Sequence, residues 1–195
     1  MKQTDLRVIR SKKLIKEAFI DLVEETGYEN VTIQDIAQRA MVNRKTFYFH
    51  YGSKAKLFEE IIQDMMDLLL EGMDLKKQES GNNVNVNQEI EIAFGNINKN
   101  KRLFRVLLND SSSYELTKEI EVQLLNKIFD RLIQVSSQKN ISDIFRQLLG
   151  NSMIAIFMVI LKWWLDQDDK YSEEFAAETF VKLISNAFTS FLDLE

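Results

Sequence analysis

Residues 43–51, NRKTFYFHY, place hydrogen-bonding side chains and aromatic rings next to each other on one short stretch of chain. Arg44 and Lys45 can donate hydrogen bonds to O6 and N7 of guanine, and Phe49 can contact the methyl group of thymine. Asn43 can pair with adenine if its side chain is not occupied as a helix cap. The chemistry that this stretch offers is therefore recognition of base edges in the groove of a nucleic acid.

Residues that could support catalysis are scarce. The chain has no cysteine and a single histidine, His50. It contains no glycine-rich phosphate loop, no HExxH motif and no Glu-x-x-His pair. A lone histidine without partner ligands is a poor metal site. We therefore predict that the protein is not an enzyme and requires neither a metal nor a cofactor.

The elements that position the 43–51 stretch are predicted to be helices. The 195-residue chain has no proline, and its apolar residues recur every three or four positions, which is typical of amphipathic helices. We predict an all-α protein of about nine helices, with a polar loop at 76–87. The predicted helices span residues 5–26, 33–40, 44–51, 54–72, 87–98, 101–108, 113–135, 142–165 and 172–194.

The second and third predicted helices have the spacing of a helix-turn-helix. Thr32 and Asp35 are placed to form a capping box at the start of the second helix. Asn43 is suited to cap the third helix, directly after a turn that contains Met41. A positive φ at Met41 would cost roughly 1 kcal/mol relative to glycine.

The apolar positions of the first three helices predict a shared core. Phe47 and Tyr51 are four residues apart, so they can pack on the same side of the third helix. We expect helix 33–40 to turn Ile36, Ala37 and Ala40 inward. The first helix is predicted to contribute the face formed by Leu14, Ala18, Phe19, Leu22 and Val23.

Charge divides the chain into two parts. Residues 1–56 hold 11 basic and 7 acidic side chains, a net charge of +4, within a chain whose net charge is −5. The remainder therefore carries −9. A basic N-terminal module is what a protein steered to DNA by charge requires, although chance asymmetry could produce the same division.

The stretch 31–62 resembles the DNA-binding domain of the TetR family of transcription regulators, and the resemblance extends back to about residue 7. Glycine is common in the family at the turn position that Met41 occupies here. The matching positions are Thr32, Ile36, Ala37, Val42, Thr46, Phe47, Tyr48, His50, Tyr51, Lys54, Leu57 and Phe58.

The resemblance implies roles for individual residues. Tyr48 and Lys54 would contact phosphates, Thr32 and Thr46 would be further backbone anchors, and Gln34 stands where some members reach a base edge. Together with the 43–51 stretch, this defines the candidate contacts with a double-stranded DNA operator. They are Thr32, Gln34, Asn43, Arg44, Lys45, Thr46, Tyr48, Phe49, His50 and Lys54.

We predict a DNA-binding domain at 1–53, followed by an effector-binding and dimerisation domain at 54–195. The sequence at 153–165, MIAIFMVILKWWL, is apolar on nearly every side of a helix, so it must be covered on every side. The resemblance implies that the last two helices form a homodimer interface; a purely intramolecular core is the alternative. The predicted interface residues are Ile156, Ile160, Trp163, Trp164, Phe180, Ile184 and Phe188.

The resemblance also implies a pocket for a small, apolar effector whose binding releases a repressor from DNA. The same side chains could instead be plain core, and the protein could be an activator or co-regulator that acts through a protein contact. The candidate pocket residues are Phe94, Ile97, Phe104, Leu107, Phe129, Leu132, Phe145 and Leu149.

We expect a cytoplasmic protein without a membrane segment. The polar N-terminus does not have the character of a signal peptide. The apolar run 153–161 is too short to span a bilayer.

Overall fold

The computed structural model describes residues 6–71, 86–109, 118, 121–123 and 143–192. Within these ranges the chain is helical and contains no strand, which confirms the predicted all-α fold. A 3-10 turn at Tyr28–Asn30 separates the first two helices, and residues 118 and 121–123 are also helical. The α-helices are α1 Leu6–Thr26, α2 Ile33–Arg39, α3 Arg44–His50, α4 Lys54–Leu70, α5 Val86–Lys99, α6 Lys101–Asn109, α7 Asp143–Leu165 and α8 Glu173–Leu192.

The chain packs as two compact units. The first, called the head below, comprises Met1–Met65 and Val106–Thr117; the second, the body, comprises Met66–Arg105 and Lys118–Glu195. By packing, the head therefore extends into α4, beyond the domain boundary predicted at residue 53.

The core of the head is built from α1, α2, α3 and the start of α4. As predicted, α2 buries Ile36 and Ala37, with Ala40 directly after it, and α3 buries Phe47. One residue of the α1 prediction is wrong: Leu14 is 38% exposed, and Ile15 takes its place in the core. Ile15 and Leu22 are seven residues apart, two helical turns, and so lie on the same face of α1.

Local hydrogen bonds fix both ends of the turn between α2 and α3. The Thr32 side chain accepts from the backbone N–H of Asp35, and the Asp35 carboxylate accepts from the N–H of Thr32, completing the predicted capping box. Asn43 caps α3 by accepting from the N–H of Lys45 at 2.9 Å. Between the caps, Met41 has φ +52° and a side chain that is 92% exposed.

Met41→Gly is therefore expected to stabilise the head by about 0.5–1 kcal/mol, because glycine adopts positive φ without strain. The exposed Met41 side chain contributes little packing that could be lost. Met41→Ala is the matched control, since it removes the same side chain and keeps the strain. Urea unfolding should show a higher midpoint for the glycine variant alone; equal midpoints for both variants would contradict the assignment of strain.

Aromatic rings form the centre of the body. Phe94 of α5 contacts Phe157 and Trp164 of α7 at centroid distances of 5.5 and 5.7 Å, and Phe157 contacts Phe180 of α8 at 5.5 Å. The indole N–H of Trp164 donates to the carbonyl of Tyr171 at 2.9 Å, so the polar end of this buried ring is satisfied. These contacts hold α5, α7 and α8 together.

The stretch Gln147–Leu165 of α7 is long enough and apolar enough to cross a membrane, with a mean hydropathy of 1.7 over 19 residues. The length argument made from residues 153–161 is therefore wrong for the helix as a whole. The buried side of this stretch packs on the aromatic core of the body, as the core helix of a folded domain does.

Candidate DNA-binding site

The outer face of α3 presents four of the predicted contact residues to solvent. Arg44, Lys45, Tyr48 and Phe49 are all exposed, and Phe49 is 78% exposed although its side chain is wholly apolar. Arg44 and Tyr48 are one turn apart, and Nη2 of Arg44 donates to the Tyr48 hydroxyl at 3.5 Å. That contact leaves the hydroxyl hydrogen of Tyr48 free to donate to a phosphate oxygen.

The side chains of the capping residues Asn43 and Thr32 already make hydrogen bonds within the head, which limits the contacts they can make with DNA. The Asn43 side chain is occupied as the cap of α3, so the condition attached to its pairing with adenine is not met. The Thr32 hydroxyl donates to Oδ2 of Asp35 at 2.6 Å while it accepts from the N–H of Asp35. These hydrogen bonds from Thr32 hold the pKa of Asp35 below its usual value. Thr46 is half-buried, and Gln34 is exposed.

His50 contacts α1 rather than projecting freely from α3. Its Nε2 lies 2.7 Å from the Ser11 hydroxyl, which itself donates to the carbonyl of Val8. The Ser11 hydroxyl therefore links the His50 ring to the backbone of α1. Burial, aided by the charge of Lys12, lowers the pKa of His50. The expectation that His50 projects toward a groove is corrected accordingly.

Lys54, at the start of α4, is held against the 3-10 turn. Its ammonium donates to the carbonyl of Tyr28 at 2.9 Å and lies 4.2 Å from the centroid of the Tyr28 ring. The side chain is half-buried. Ser53 caps α4 by accepting from the N–H of Lys56.

An ionic cluster that the sequence analysis missed joins α1 to α4 and lies next to the ring of Tyr51, directly after α3. Glu60 accepts from Lys12 at 2.9 Å and from Lys16 at 2.7 Å, and Lys16 also pairs with Asp64. Both pairs of residues are spaced by four, so each lies on one face of its helix. Burial raises the pKa of Tyr51, whose hydroxyl lies beside this cluster, and the carboxylates add to the shift.

The cluster predicts a specific dependence of stability on pH. Burial alone would raise the pKa of Glu60, but the hydrogen bonds from Lys16 and Lys12 outweigh it and hold the pKa below its ordinary value of 4.5. Glu60 therefore stabilises the fold above that value, and the contribution is lost as pH falls through the lowered pKa. We expect Glu60→Gln to lower the urea midpoint at neutral pH, with the difference from wild type shrinking toward zero as pH falls below the lowered pKa of Glu60.

Glu59→Gln is the control for this comparison, because Glu59 is exposed and pairs with Lys56 on its own helix. Its midpoint should differ little from wild type at any pH. A Glu60→Gln deficit that is equally large in acid would contradict the proposed role of the carboxylate charge.

Three of the residues predicted for a dimer interface are buried within the body. Ile160, Trp164 and Phe180 contribute to the core of the subunit, so their assignment to a subunit contact is wrong. Ile156 and Ile184 are half-buried, Trp163 is 42% exposed, and the side chain of Phe188 lies outside the described residues.

The exposed apolar positions of α7 lie on the other face of the helix. They recur at spacings of four and seven residues and so share one side. This α7 stripe consists of Ile144, Leu148, Ala155, Val159 and Trp163.

The predicted effector residues are packed core wherever they are described, apart from Leu149. Phe94, Ile97, Phe104 and Leu107 are fully buried, and Leu149 is half-buried. Phe129, Leu132 and the side chain of Phe145 lie outside the described residues. A cavity of about 260 Å³ in the body is lined by a different set, namely Lys118, Glu121, Val122, Asn151, Ile154 and Ala155. The location of an effector pocket stays a prediction.

Known protein families match both the N-terminal and the C-terminal part of the chain. Residues 15–61 match the family of bacterial regulatory proteins named for tetR, and residues 84–186 match the C-terminal region of a transcriptional regulator family. A TetR transcriptional regulator from Streptococcus agalactiae has a similar structure, with a TM-score of 0.69 at 25% identity over 92% of this chain and 96% of that one.

Two relatives by sequence are also regulators or DNA-associated factors by name. The HTH-type transcriptional regulator YxbF of Bacillus subtilis is 41% identical over 63 residues, which is 32% of this chain but only 17% of that protein. The nucleoid occlusion factor SlmA of Marinomonas is 24% identical over 75% of this chain and 76% of its own length.

The two family matches together extend over most of the chain, and the second match alone covers more than half of it. Both matches agree with the capped helix-turn-helix and its exposed basic and aromatic face. Members of this family are DNA-binding regulators rather than enzymes. The chain therefore belongs to the TetR family and is a DNA-binding transcriptional regulator.

Proposed function

We propose that the protein is a cytoplasmic repressor that binds a palindromic operator as a homodimer and is released by a small, apolar effector. The observation that carries the proposal is the outer face of α3, where Arg44, Lys45, Tyr48 and Phe49 are exposed together within the basic segment 1–56. An apolar ring such as Phe49 is unfavourable in water, and contact with a thymine methyl group would bury it.

The α7 stripe supports the homodimer. It places apolar side chains, including Val159 at 69% exposure, along one side of a long helix, and Leu183 of α8 is exposed as well. A second copy of the same stripe, related by two-fold symmetry, would cover it. Such a dimer carries two heads, as a palindrome with half-sites about one helical turn apart requires.

The roles assigned to Arg44, Tyr48 and Lys54 predict different losses of DNA affinity for the three substitutions. Arg44→Ala should cost about 1–3 kcal/mol at one base pair and relax the preference there, because only base contacts carry sequence information. Tyr48→Phe and Lys54→Ala should weaken binding to all duplexes roughly equally and reduce the dependence on salt. Titrations against a set of single-base operator variants measure both effects, and equal losses at every site for all three variants would refute the assignment.

A structural relative supports the proposed release by an effector. The FadR repressor of Thermus thermophilus, which shares this fold at 17% identity and a TM-score of 0.61, was solved with lauroyl-CoA. An apolar effector of this chain should stabilise the body against heat. A thermal-shift screen of apolar compounds that finds no stabilisation would argue against an effector of this class.

An activator is the second candidate, because relatives of both kinds are known. The negative regulator IcaR of Staphylococcus aureus is 33% identical over 57 residues, and the activator DhaS of Lactococcus lactis is 31% identical over 67 residues. Deleting the gene decides between them: transcription from the bound promoter should rise if the protein represses and fall if it activates.

A further inference from the structure

Tyr28 contacts the Lys54 ammonium in two ways. The Tyr28 carbonyl accepts a hydrogen bond from Nζ at 2.9 Å, and the face of its ring lies 4.2 Å from the same atom. The two residues are 26 positions apart in sequence and belong to different elements, the 3-10 turn and the start of α4. The ammonium is thus held by a dipole and by the negative face of an aromatic ring.

The Tyr28 ring is itself held in place by the core of the head. Phe19 of α1 meets it edge-on at a centroid distance of 6.0 Å, and Phe58 of α4 lies at 5.3 Å. Both phenylalanines are buried. The ring is therefore a rigid platform, and Lys54 takes its position from the core rather than from its own flexible side chain.

We propose that Tyr28 is a positioning residue that preorganises Lys54 for contact with a DNA phosphate. The inference rests on the proposed function, which assigns Lys54 to the phosphate backbone. An ammonium has three N–H donors, and the Tyr28 carbonyl uses one of them, so two remain for phosphate oxygens. A lysine that is already ordered loses less conformational entropy when it binds than a mobile surface lysine does.

The test is a double-mutant cycle on DNA binding by the full-length protein. Tyr28→Leu removes the ring and keeps the backbone carbonyl, and Tyr28→Phe retains an aromatic face. We expect Tyr28→Leu to weaken binding of a two-headed dimer by about fivefold to twentyfold on operator and random duplexes alike. Tyr28→Phe should remain within about twofold of wild type, and Tyr28→Leu should add almost nothing in a Lys54→Ala background.

Two results would overturn the proposal, and they are distinguishable. If Lys54→Ala itself leaves binding unchanged, the phosphate contact is wrong, and with it the function that Tyr28 would serve. If Lys54→Ala weakens binding but Tyr28→Leu costs the same with and without Lys54, Tyr28 acts on the stability of the head and not through the lysine.

An NMR measurement on the free wild-type protein tests the geometry without a variant that has to fold. The Lys54 ε-methylene protons should be shifted upfield by the Tyr28 ring, and the ammonium should be motionally restricted. Random-coil shifts and free rotation at Lys54 would contradict the positioning role.

Discussion

Phe47→Ala is expected to unfold the DNA-binding head and to abolish operator binding, although Phe47 need not touch DNA. Its side chain is fully buried, and its ring packs against Tyr51 at a centroid distance of 5.8 Å. Truncating a buried phenylalanine costs about 3–5 kcal/mol, which is a large share of the stability of a small helical unit. Hydrogen exchange should show protection lost in α1, α2 and α3 and retained in the body.

Phe49→Ala is the matched control, because it makes the same substitution two residues away at an exposed position. It should leave the unfolding midpoint within about 0.5 kcal/mol of wild type and weaken binding only to duplexes with a thymine at the contacted position. Replacing that thymine with deoxyuridine should reproduce the loss in wild type and have no further effect in the variant. Unchanged exchange protection in Phe47→Ala would contradict the assigned core.

Val159→Glu is expected to convert the protein to monomers and to reduce operator affinity by about 100-fold or more. In the proposed dimer the α7 stripe meets its own symmetry mate, so one substitution buries a carboxylate on each side of the interface. A monomer presents one head and loses the gain of binding two half-sites at once. Sedimentation velocity at micromolar concentration measures the change in assembly directly.

Asn87→Glu adds the same charge at an exposed position on α5, outside the α7 stripe, and should remain dimeric. Trp164→Ala provides a contrast on α7 itself, because that ring belongs to the subunit core and its loss should lower stability. A Val159→Glu protein that still sediments as a dimer would place the interface elsewhere.

Features set by neighbours in sequence were predictable. The capping box at Thr32, the cap at Asn43 and the positive φ at Met41 each depend on residues within a few positions. The inward face of α2 follows from the helical period for the same reason. Such interactions need no knowledge of tertiary structure, and they placed the helix-turn-helix correctly.

The burial pattern of α7 was not predictable, because the helix is apolar on nearly every side. Periodicity cannot distinguish Ile160, which is buried in the subunit, from Val159, which is exposed. Only the position of Phe94 and Phe180 determines which side of α7 is covered. The predicted interface therefore included three residues on the face of the helices that is buried within the subunit, and the participation of these helices in a dimer stays a prediction.

Contacts between distant residues were also missed. His50 meets Ser11 across 39 positions, and Lys12 meets Glu60 across 48. Each of these polar side chains could equally be solvated at the protein surface, so residue type alone does not predict the contact. One pattern could have suggested the cluster. Lys12 and Lys16 are four residues apart, and so are Glu60 and Asp64, so a basic pair on one helix can face an acidic pair on another.

The measurement that tests the central claim most directly is fluorescence anisotropy of the full-length protein on the intergenic DNA beside its own gene. A random duplex of equal length, titrated at the same series of salt concentrations, is the control. We predict preferential binding to the intergenic duplex, with affinity that falls steeply with salt and two protomers per site. Equal, weak binding to both duplexes, or no binding even at low salt, would contradict a sequence-specific dimeric regulator of the adjacent promoter.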